Sequence, residues 1–571
     1  MRRTLLLLGA LVLPVLPAAP SYAADNVICV GSPSGVSCNE NAGTITAAIG
    51  LANGNALDDV IRVGPGTFID GPYLLMGSTH AVTLQGSGTS TVLTLAADPG
   101  QQTYVTANSA TVRDLKIMMP AQADSGSDVG ISAFAASTVE GVTVDGLLTA
   151  NATGVRVSTS LLTDSSILME PTANPGTRGV YLEGGNAVTD SVLSAGAGLV
   201  QSSPNATDTV LRVSMRVGYA STSSAGVTTD GGTVNIESSV IDLGTSMATG
   251  LLAQNPNNGT SDKAINANHV TIVGGGASSK GAWADSTAQG AKQLSTISLS
   301  NSIVRGPSMS LRADAGNDGA QGGDSTATVT VSYTDYQTTG GSIAPTTGAG
   351  GVVLGAGNLL DVDPQFASAS DRHLKAGSPL IDKGNPTGSA TGRDLDGLPR
   401  VADGDGNGSA IRDMGAYEWQ DVLAPDTTIS SGPSGLTNDA TPTFAFASEP
   451  GATFECRVDA AAYAVCSSPF TSPGLNEGPH TFSVRAKDGA GNADATPATR
   501  SFTVDTVAPA TELTVKFGKR VTKKKVKVAF SSEAGATFQC QVDGKGWKPC
   551  TSPERLTEIV RRMASALAGA A

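Results

Sequence analysis

Asp403-Gly404-Asp405-Gly406-Asn407-Gly408-Ser409 is the stretch of this sequence with the plainest chemical meaning. Asp403, Asp405, Asn407 and Ser409 place oxygen donors at alternate positions. The glycines between them let the chain turn, and together they make the first half of a calcium loop. A full loop closes with a bidentate carboxylate at position 12. Met414 stands there, so Asp413 or Glu418 would have to substitute. The competing reading is a Gly/Asp-rich turn without an ion.

A second set of polar residues recurs: Asp114, Asp164, Asp190, Glu237, Asn268 and Asn301, each just before an aliphatic stretch. Polar side chains stacked at equivalent turns can hydrogen-bond their neighbours and the backbone, so a turn ladder is expected. The alternative is an acidic stripe for a metal or for catalysis. Glycoside hydrolysis needs paired carboxylates, and a lyase needs a basic proton abstractor. Between residues 26 and 360 the lysines are Lys116, Lys263, Lys280 and Lys292, none in a recognisable motif. Arg156, Arg178 and Arg212 lie near strands and are where a base would be sought. His269 sits in the ladder motif with no Ser or Cys signature nearby, and a solvated turn histidine is expected. Tyr181, Trp283, Tyr333 and Tyr336 are the few aromatics that could stack on a sugar, and core or edge positions explain them equally. No catalytic constellation emerges.

The composition narrows what can position these groups. Aromatics are 4% and charged residues 15%, with 69 glycines. That mixture suits short strands and tight turns rather than helical bundles. The net charge of −14 argues against nucleic acid as a partner and weakly favours divalent cations. Met1-Arg2-Arg3, an apolar run from Leu5 to Pro17, and Ser21-Tyr22-Ala23 form a signal-peptide pattern, with cleavage expected after Ala23. No later stretch is long and apolar enough for a transmembrane segment. Six cysteines fall into three local pairs, Cys29 with Cys38, Cys456 with Cys466, and Cys540 with Cys550. In an exported chain these read as disulfides; zinc is disfavoured because the spacing is wrong and no histidine is close.

Glycine followed by apolar residues recurs at Gly130, Gly154, Gly179, Gly198, Gly226, Gly250 and Gly281. Each period has room for two or three short strands and for no amphipathic helix. So short an all-strand unit buries its apolar face only by stacking on its copies, which is a parallel β-helix. Ahead of the repeats, Ile45, Ala48, Ile49 and Ala52 sit at helical spacing within Thr44–Asn53 and read as part of a cap. A strand Val60–Val63 and Gly64-Pro65-Gly66-Thr67-Phe68 follow. This opening resembles that of the pectin-lyase-like right-handed β-helix proteins. That fold hosts polysaccharide lyases and hydrolases, but the "NTD", "DD" and "GHG" segments of its polygalacturonase-type hydrolases are missing from the repeats, and Asp58-Asp59 lies in the cap. Asp361-Val362-Asp363-Pro364-Gln365-Phe366, Leu374 to Gly384, Arg393 to Arg400 and Asp413 to Glu418 resemble the C-terminal end of bacterial choice-of-anchor Q β-helix proteins. That resemblance implies a surface or secreted protein and no particular reaction.

Beyond Leu423-Ala424-Pro425-Asp426, the segment from Glu449 to Asp459 recurs from Glu533 to Asp543, 84 residues on. A unit of that length with alternating strands fits a β-sandwich, and "AKDGAGNAD" resembles bacterial immunoglobulin-like repeats. Cysteines ten apart fit a hairpin. The second copy lacks equivalents of Phe482 to Val504. In their place Leu556, Ile559, Val560 and Met563 stand at helical spacing, as a helix or a truncated frame, with truncation preferred. The basic run Lys516 to Lys527 reads as a solvated edge or, less readily, a contact for an anionic envelope polymer.

The expected architecture is all-β: a right-handed parallel β-helix followed by one complete and one truncated Ig-like β-sandwich module. The expected divisions are a signal peptide (1–23), cap and first rungs (24–110), the β-helix with its C-terminal segment (111–420), an Ig-like domain (424–507) and a truncated repeat (508–571). The expected role is a secreted or cell-surface scaffold, non-catalytic, holding an extracellular polysaccharide or cell-envelope polymer. Calcium is the one cofactor candidate, and a polysaccharide lyase or hydrolase is the alternative.

Overall fold

The computed structural model describes residues 26–77, 80–95, 102–119, 128–146, 152–169, 177–218, 224–254, 261–286, 294–315, 325–337, 349–388, 392–405, 407, 409–421, 424–488, 491–513, 526–542, 544–556 and 566–570. The signal-peptide stretch lies outside them. Two compact units result: Met1–Asp405 with Ser409–Asp421, and Gly406–Gly408 with Val422–Ala571.

The first unit opens with the strands Asn26–Val30 and Glu40–Ala42, followed by its helix, Ile45–Asn53, capped by Thr44, whose hydroxyl accepts the Ala47 N–H at 3.1 Å. Its buried face is Ile45, Ala48, Ile49 and Ala52, the set marked by helical spacing. From there to Leu360 the unit is a stack of short parallel strands, and the segment after residue 361 has no strand of its own among the described residues. One sheet of 10 strands, here face 1, runs from Tyr73–Met76 to Met309–Ala315, each strand pairing only with its equivalents in the rungs before and after. A 24-stranded sheet forms the other two faces. Face 2 includes Leu161–Thr163, Ala187–Thr189 and Thr207–Leu211; face 3 includes Ser166–Met169, Val192–Ala195 and Ser214–Val217. Gly232–Asp242 and Lys263–Val273 run through both faces without a break. The chain is thus a parallel β-helix. Alternate residues such as Val155, Ile167, Val180, Leu193 and Ile241 point inward and are fully buried, each stabilising the stack by roughly 1.5–3 kcal/mol.

The repeated glycines mark the entry to face 1, where the wall turns tightly. A Cβ on Gly154 would stand 2.3 Å from Ile167 Cγ2 and 2.8 Å from the Gly179 carbonyl, and one on Gly226 would stand 2.5 Å from Ile241 Cγ2. The turn between faces 2 and 3 has a different device. There one residue per rung takes a left-handed conformation, with φ of 46° at Asp164, 51° at Asp190 and 50° at Asn301. The following residue is usually Ser, and its hydroxyl takes an amide of the previous rung: Ser165 from Val142, Ser191 from Ser165, Ser239 from Val213, Ser302 from Val270, all at 3.1–3.2 Å. Those amides have no strand partner, so the buried serines satisfy groups that would otherwise cost free energy.

Asp335 follows the same turn. Its side chain is fully buried, accepts the Val362 N–H at 3.1 Å and faces Arg305 at 3.6 Å. Burial, opposed by those contacts, pushes its carboxyl up to about 6. An acid raised in the folded state contributes stability that is complete below its unfolded value, near 3.8, and lost as pH rises through about 6. Wild type should therefore lose about 2–3 kcal/mol relative to Asp335→Asn between pH 4 and 8. Chemical denaturation of both proteins at the two pH values checks this; parallel pH dependences would refute it.

In the second unit, Thr453–Val458, Ala464–Cys466, Gly478–Lys487 and Ala498–Val504 form an antiparallel sheet around Phe444, Phe482 and Phe502, facing a second sheet built on Thr443–Ala447. Disulfides join Cys456 to Cys466 and Cys540 to Cys550 across hairpins, and Cys29 to Cys38 in the first unit. The tail departs from the helical reading where it is described. Ala566–Ala570 is a strand pairing with Thr537–Gln541, and Glu554–Leu556 pairs with Val526–Val528. It thus takes up the place that Gly478–Lys487 holds in the first copy. Residues 557–565, with Ile559, Val560 and Met563, lie outside the described residues, as does most of the basic run.

Candidate functional site

The six ladder residues do not share one register. Asp114, Asp164, Asp190 and Asn301 occupy the left-handed turn position. Glu237 and Asn268 fall one place earlier, on the outer surface of face 2, where Leu211 pairs with Glu237 and Glu237 with Asn268. The left-handed residues of those two rungs are Ser238 and His269. The motif Glu237-Ser238-Ser239-Val240 looks like Asp164-Ser165-Ser166-Ile167, yet Val240 pairs in line with Ser166 because Ile241, not Val240, fills the core position. Side-chain hydrogen bonding is local rather than continuous. Gln85 donates to Asp114 at 2.7 Å, Arg212 holds both oxygens of Asp190 at 2.6 and 2.7 Å, and Asn301 donates to Asn268 at 2.8 Å.

The displaced pair lines a groove of about 550 Å³ on face 2. Along it, Thr209, Asn235, Asn266 and Ser298 stand in register on successive rungs. A parallel row runs Leu211, Glu237, Asn268 and Ser300. Asn268 donates to Glu237 at 3.3 Å and accepts from Ser300 at 3.0 Å. Ile236, Ala267, Arg212, Ser238, Gly392 and Arg393 also line it. Gly392 and Arg393 come from the segment after residue 361, which folds back along the β-helix. Ser238 donates to the Arg393 carbonyl at 2.7 Å, and Thr271 accepts the Ala416 N–H at 2.8 Å.

That segment also overturns the expectation of a solvated His269. Its ring is 1% exposed, beside Arg400 and Arg412, and burial together with those guanidiniums holds its basicity far below normal. Leu374, Leu380, Ile381 and Met414 pack with Ile303 under the same segment, and Tyr333 joins the edge of that cluster.

Asp413 and Glu418 do not close the calcium loop. Asp413 accepts the Asp382 and Trp419 amides, and Glu418 accepts those of Ala402 and Asp413, so both are spent on backbone inside the segment. Burial raises both carboxyls, helped by the Asp382 charge at Asp413 and by the Asp413 charge at Glu418. The partner the sequence did not flag is Asp382, which brings an oxygen within 4.8 Å of one each from Asp403 and Asp405. Asp382 is pushed up to about 6, first by burial and then by its acidic neighbours, against the amide of Asp405 that it accepts. An all-oxygen donor set fits calcium or magnesium rather than zinc. Gly406 and Gly408, flanking Asn407, lie outside the described residues.

Face 1 carries the remaining candidates. Arg156 and Arg178 lie 5.3 and 5.2 Å from the Tyr181 ring. Four rungs along the same outward row, Lys280 sits 4.0 Å from the Trp283 ring and Arg312 5.4 Å. Trp283 donates to Asp314 at 2.8 Å, and Asp285 pairs in register with Asp314. Arg156, Arg178 and Arg212 are thus engaged with an aromatic ring or a carboxylate. Tyr336 packs against the core.

Residues 419–506 match the bacterial Ig-like domain family. The chain is similar in fold to pectate lyase Pel9A, with 15% identity over 69% of this chain and 97% of that one and a TM-score of 0.38. It is also similar to pectin methylesterase PemA from Erwinia chrysanthemi (13%, 45% of this chain and 82% of that one, TM-score 0.28). A third is the A-module of the Azotobacter vinelandii mannuronan C-5 epimerase AlgE6 (14%, 51% and 93%, TM-score 0.25). Comparison with curated proteins gives no match. The protein is a parallel β-helix followed in sequence by a bacterial Ig-like module. Its disulfides suit an oxidising, extracellular setting, and no helix among the described residues is long and apolar enough to cross a membrane.

Proposed function

We propose that this protein is an exported cell-surface scaffold of the choice-of-anchor Q type whose β-helix holds an extracellular glycan without cleaving it. The observation that carries this reading is the face 2 groove. Its floor offers amides and hydroxyls at every rung, the groups that recognise sugar hydroxyls. Among the described residues its lining has one carboxylate, Glu237, already bonded to Asn268, whereas acid–base cleavage needs a second carboxyl across the scissile bond. The N-terminal stretch 1–23 acts as the export signal, and 24–110, 111–420, 424–507 and 508–571 serve as cap, β-helix, Ig-like domain and partial repeat. The test incubates the full chain with a panel of neutral and acidic polysaccharides, scoring retention and product release together. Retention without new reducing ends or unsaturated products is expected; turnover would overturn it.

A second reading, a hydrolase or lyase, has one specific support: Asp285 and Asp314 on adjacent rungs of face 1, with Lys280 and Arg312 beside Trp283. Product release abolished by Asp285→Asn would move the assignment there.

Calcium at Asp382, Asp403 and Asp405 belongs to the same proposal as a structural ion under the fold-back segment. Saturating calcium should raise the unfolding temperature of the β-helix, by about 2.7 kcal/mol of stabilisation at a hundredfold excess over Kd. Asp382→Asn should abolish the rise. A calcium response identical in wild type and variant would remove the site.

A further inference from the structure

We infer that the face 2 groove takes an extended, uncharged polysaccharide lying along the β-helix axis, which rests on the glycan-binding reading above and adds a location, a direction and a charge class. Direction follows from the register. Thr209, Asn235, Asn266 and Ser298 occupy one strand position on four consecutive rungs, and rungs repeat at about 4.8 Å. Polar groups therefore recur along the axis over about 14 Å, while across it the groove is bounded by Gly392 and Arg393. Ser238 ties that wall to the sheet through the Arg393 carbonyl at 2.7 Å.

The two rows differ in what they leave open. Glu237, Asn268 and Ser300 are bonded to one another. In the other row Asn266 donates to Asn235 at 2.9 Å, which spends one hydrogen-bonding position of each amide and leaves most of its capacity for a ligand. An oriented amide beside hydroxyls pairs with sugar hydroxyls in either sense, as donor or acceptor.

Charge selects the class. A polyuronate brings a carboxylate with each sugar and would need a repeating line of cations. Arg212 is committed to both oxygens of Asp190. Among the described residues Arg393 is the one further cation lining the groove, and Glu237 opposes it. The chain as a whole carries −14, which repels a polyanion further.

The experiment measures binding of the full chain, by calorimetry and affinity electrophoresis, to a soluble neutral β-glucan, a neutral mannan, polygalacturonate and alginate. At least one neutral polymer should bind, with affinity unchanged between low and high salt. Asn235→Ala/Asn266→Ala should weaken that binding at least tenfold at unaltered unfolding temperature. Ser298→Trp, filling the groove from a neighbouring rung, should weaken it comparably, and Tyr181→Ala on face 1 should leave it unchanged. Salt-sensitive binding to the acidic polymers alone would overturn the charge class while leaving glycan binding intact. Neutral binding indifferent to both groove variants would overturn the location. Binding to none of the four would remove this inference and the reading beneath it together.

Discussion

Gly154→Ala should lower the unfolding temperature of the β-helix sharply, although it adds one methyl group to a chain of 571 residues. The new Cβ would lie 2.3 Å from Ile167 Cγ2, 2.8 Å from the Gly179 carbonyl and 3.3 Å from Met169 Sδ. Ile167 and Met169 are fully buried, with neighbours above and below in the stack. Moving them displaces the next rung, and the backbone carbonyl moves only if a ladder hydrogen bond stretches. Overpacking of this kind costs about 1–3 kcal/mol. Gly50→Ala is the matched contrast. Gly50 lies within the helix Ile45–Asn53 and has nothing within 4 Å of its would-be Cβ, so alanine there should stabilise by roughly 0.5–1 kcal/mol. Calorimetry of the two variants separates a steric requirement from a general glycine effect. Equal shifts of one sign would show that the column is not a close-packing device.

That column was legible in the sequence because each period repeats the same local demand. The helix Ile45–Asn53 was legible for a related reason, since one face of a short helix is written in consecutive residues. The ladder was only half legible. Polar-Ser-Ser-aliphatic reads alike whether the core residue is Ile167 or, one place later, Ile241, and sliding by one residue exchanges inside for outside. Glu237 therefore looked like a turn residue and is a groove residue. The groove itself was hidden because Thr209, Asn235, Asn266 and Ser298 are brought together by pairing between rungs of unequal length. Asp382 escaped notice as a partner of Asp403 and Asp405 because the sequence gives no sign that the segment folds back on itself. The same fold-back buries His269.

Arg400→Met should release that segment from the β-helix while leaving the stack intact. Arg400 is 1% exposed, among the largest fully buried side chains. It donates to the Gly415 carbonyl at 3.0 Å, the Ala416 carbonyl at 2.7 Å and the Ser238 hydroxyl at 2.7 Å, with Glu418 at 3.9 Å. One guanidinium thus ties residues 415–418 to the turn of a rung. Burial pulls its basicity down, and Glu418 and Asp394 pull it back up, so it stays a cation. Methionine fills similar volume but takes the guanidinium donor from the Gly415 carbonyl, leaves the Ala416 carbonyl with the Leu395 amide alone, and strips the acidic groups of their counter-charge. Removing one partner of so buried a set costs about 3–5 kcal/mol, enough to loosen a segment otherwise tied to the rungs by single bonds such as Ala416 to Thr271 and Asn385 to Asn301 and by a small apolar cluster. Ser238→Ala, which removes one of the three Arg400 bonds and the bond to the Arg393 carbonyl, should cost about 1–3 kcal/mol. Hydrogen exchange resolves the effect by region. Amides of residues 392–405 and 409–418 should lose protection in Arg400→Met, while those of Val155, Val180 and Leu199 on face 1 keep theirs. Glycan held in the face 2 groove should weaken in parallel, because Gly392 and Arg393 form its wall. Uniform loss across the β-helix would instead make Arg400 part of the global fold, and unchanged exchange would show that the segment is held without it.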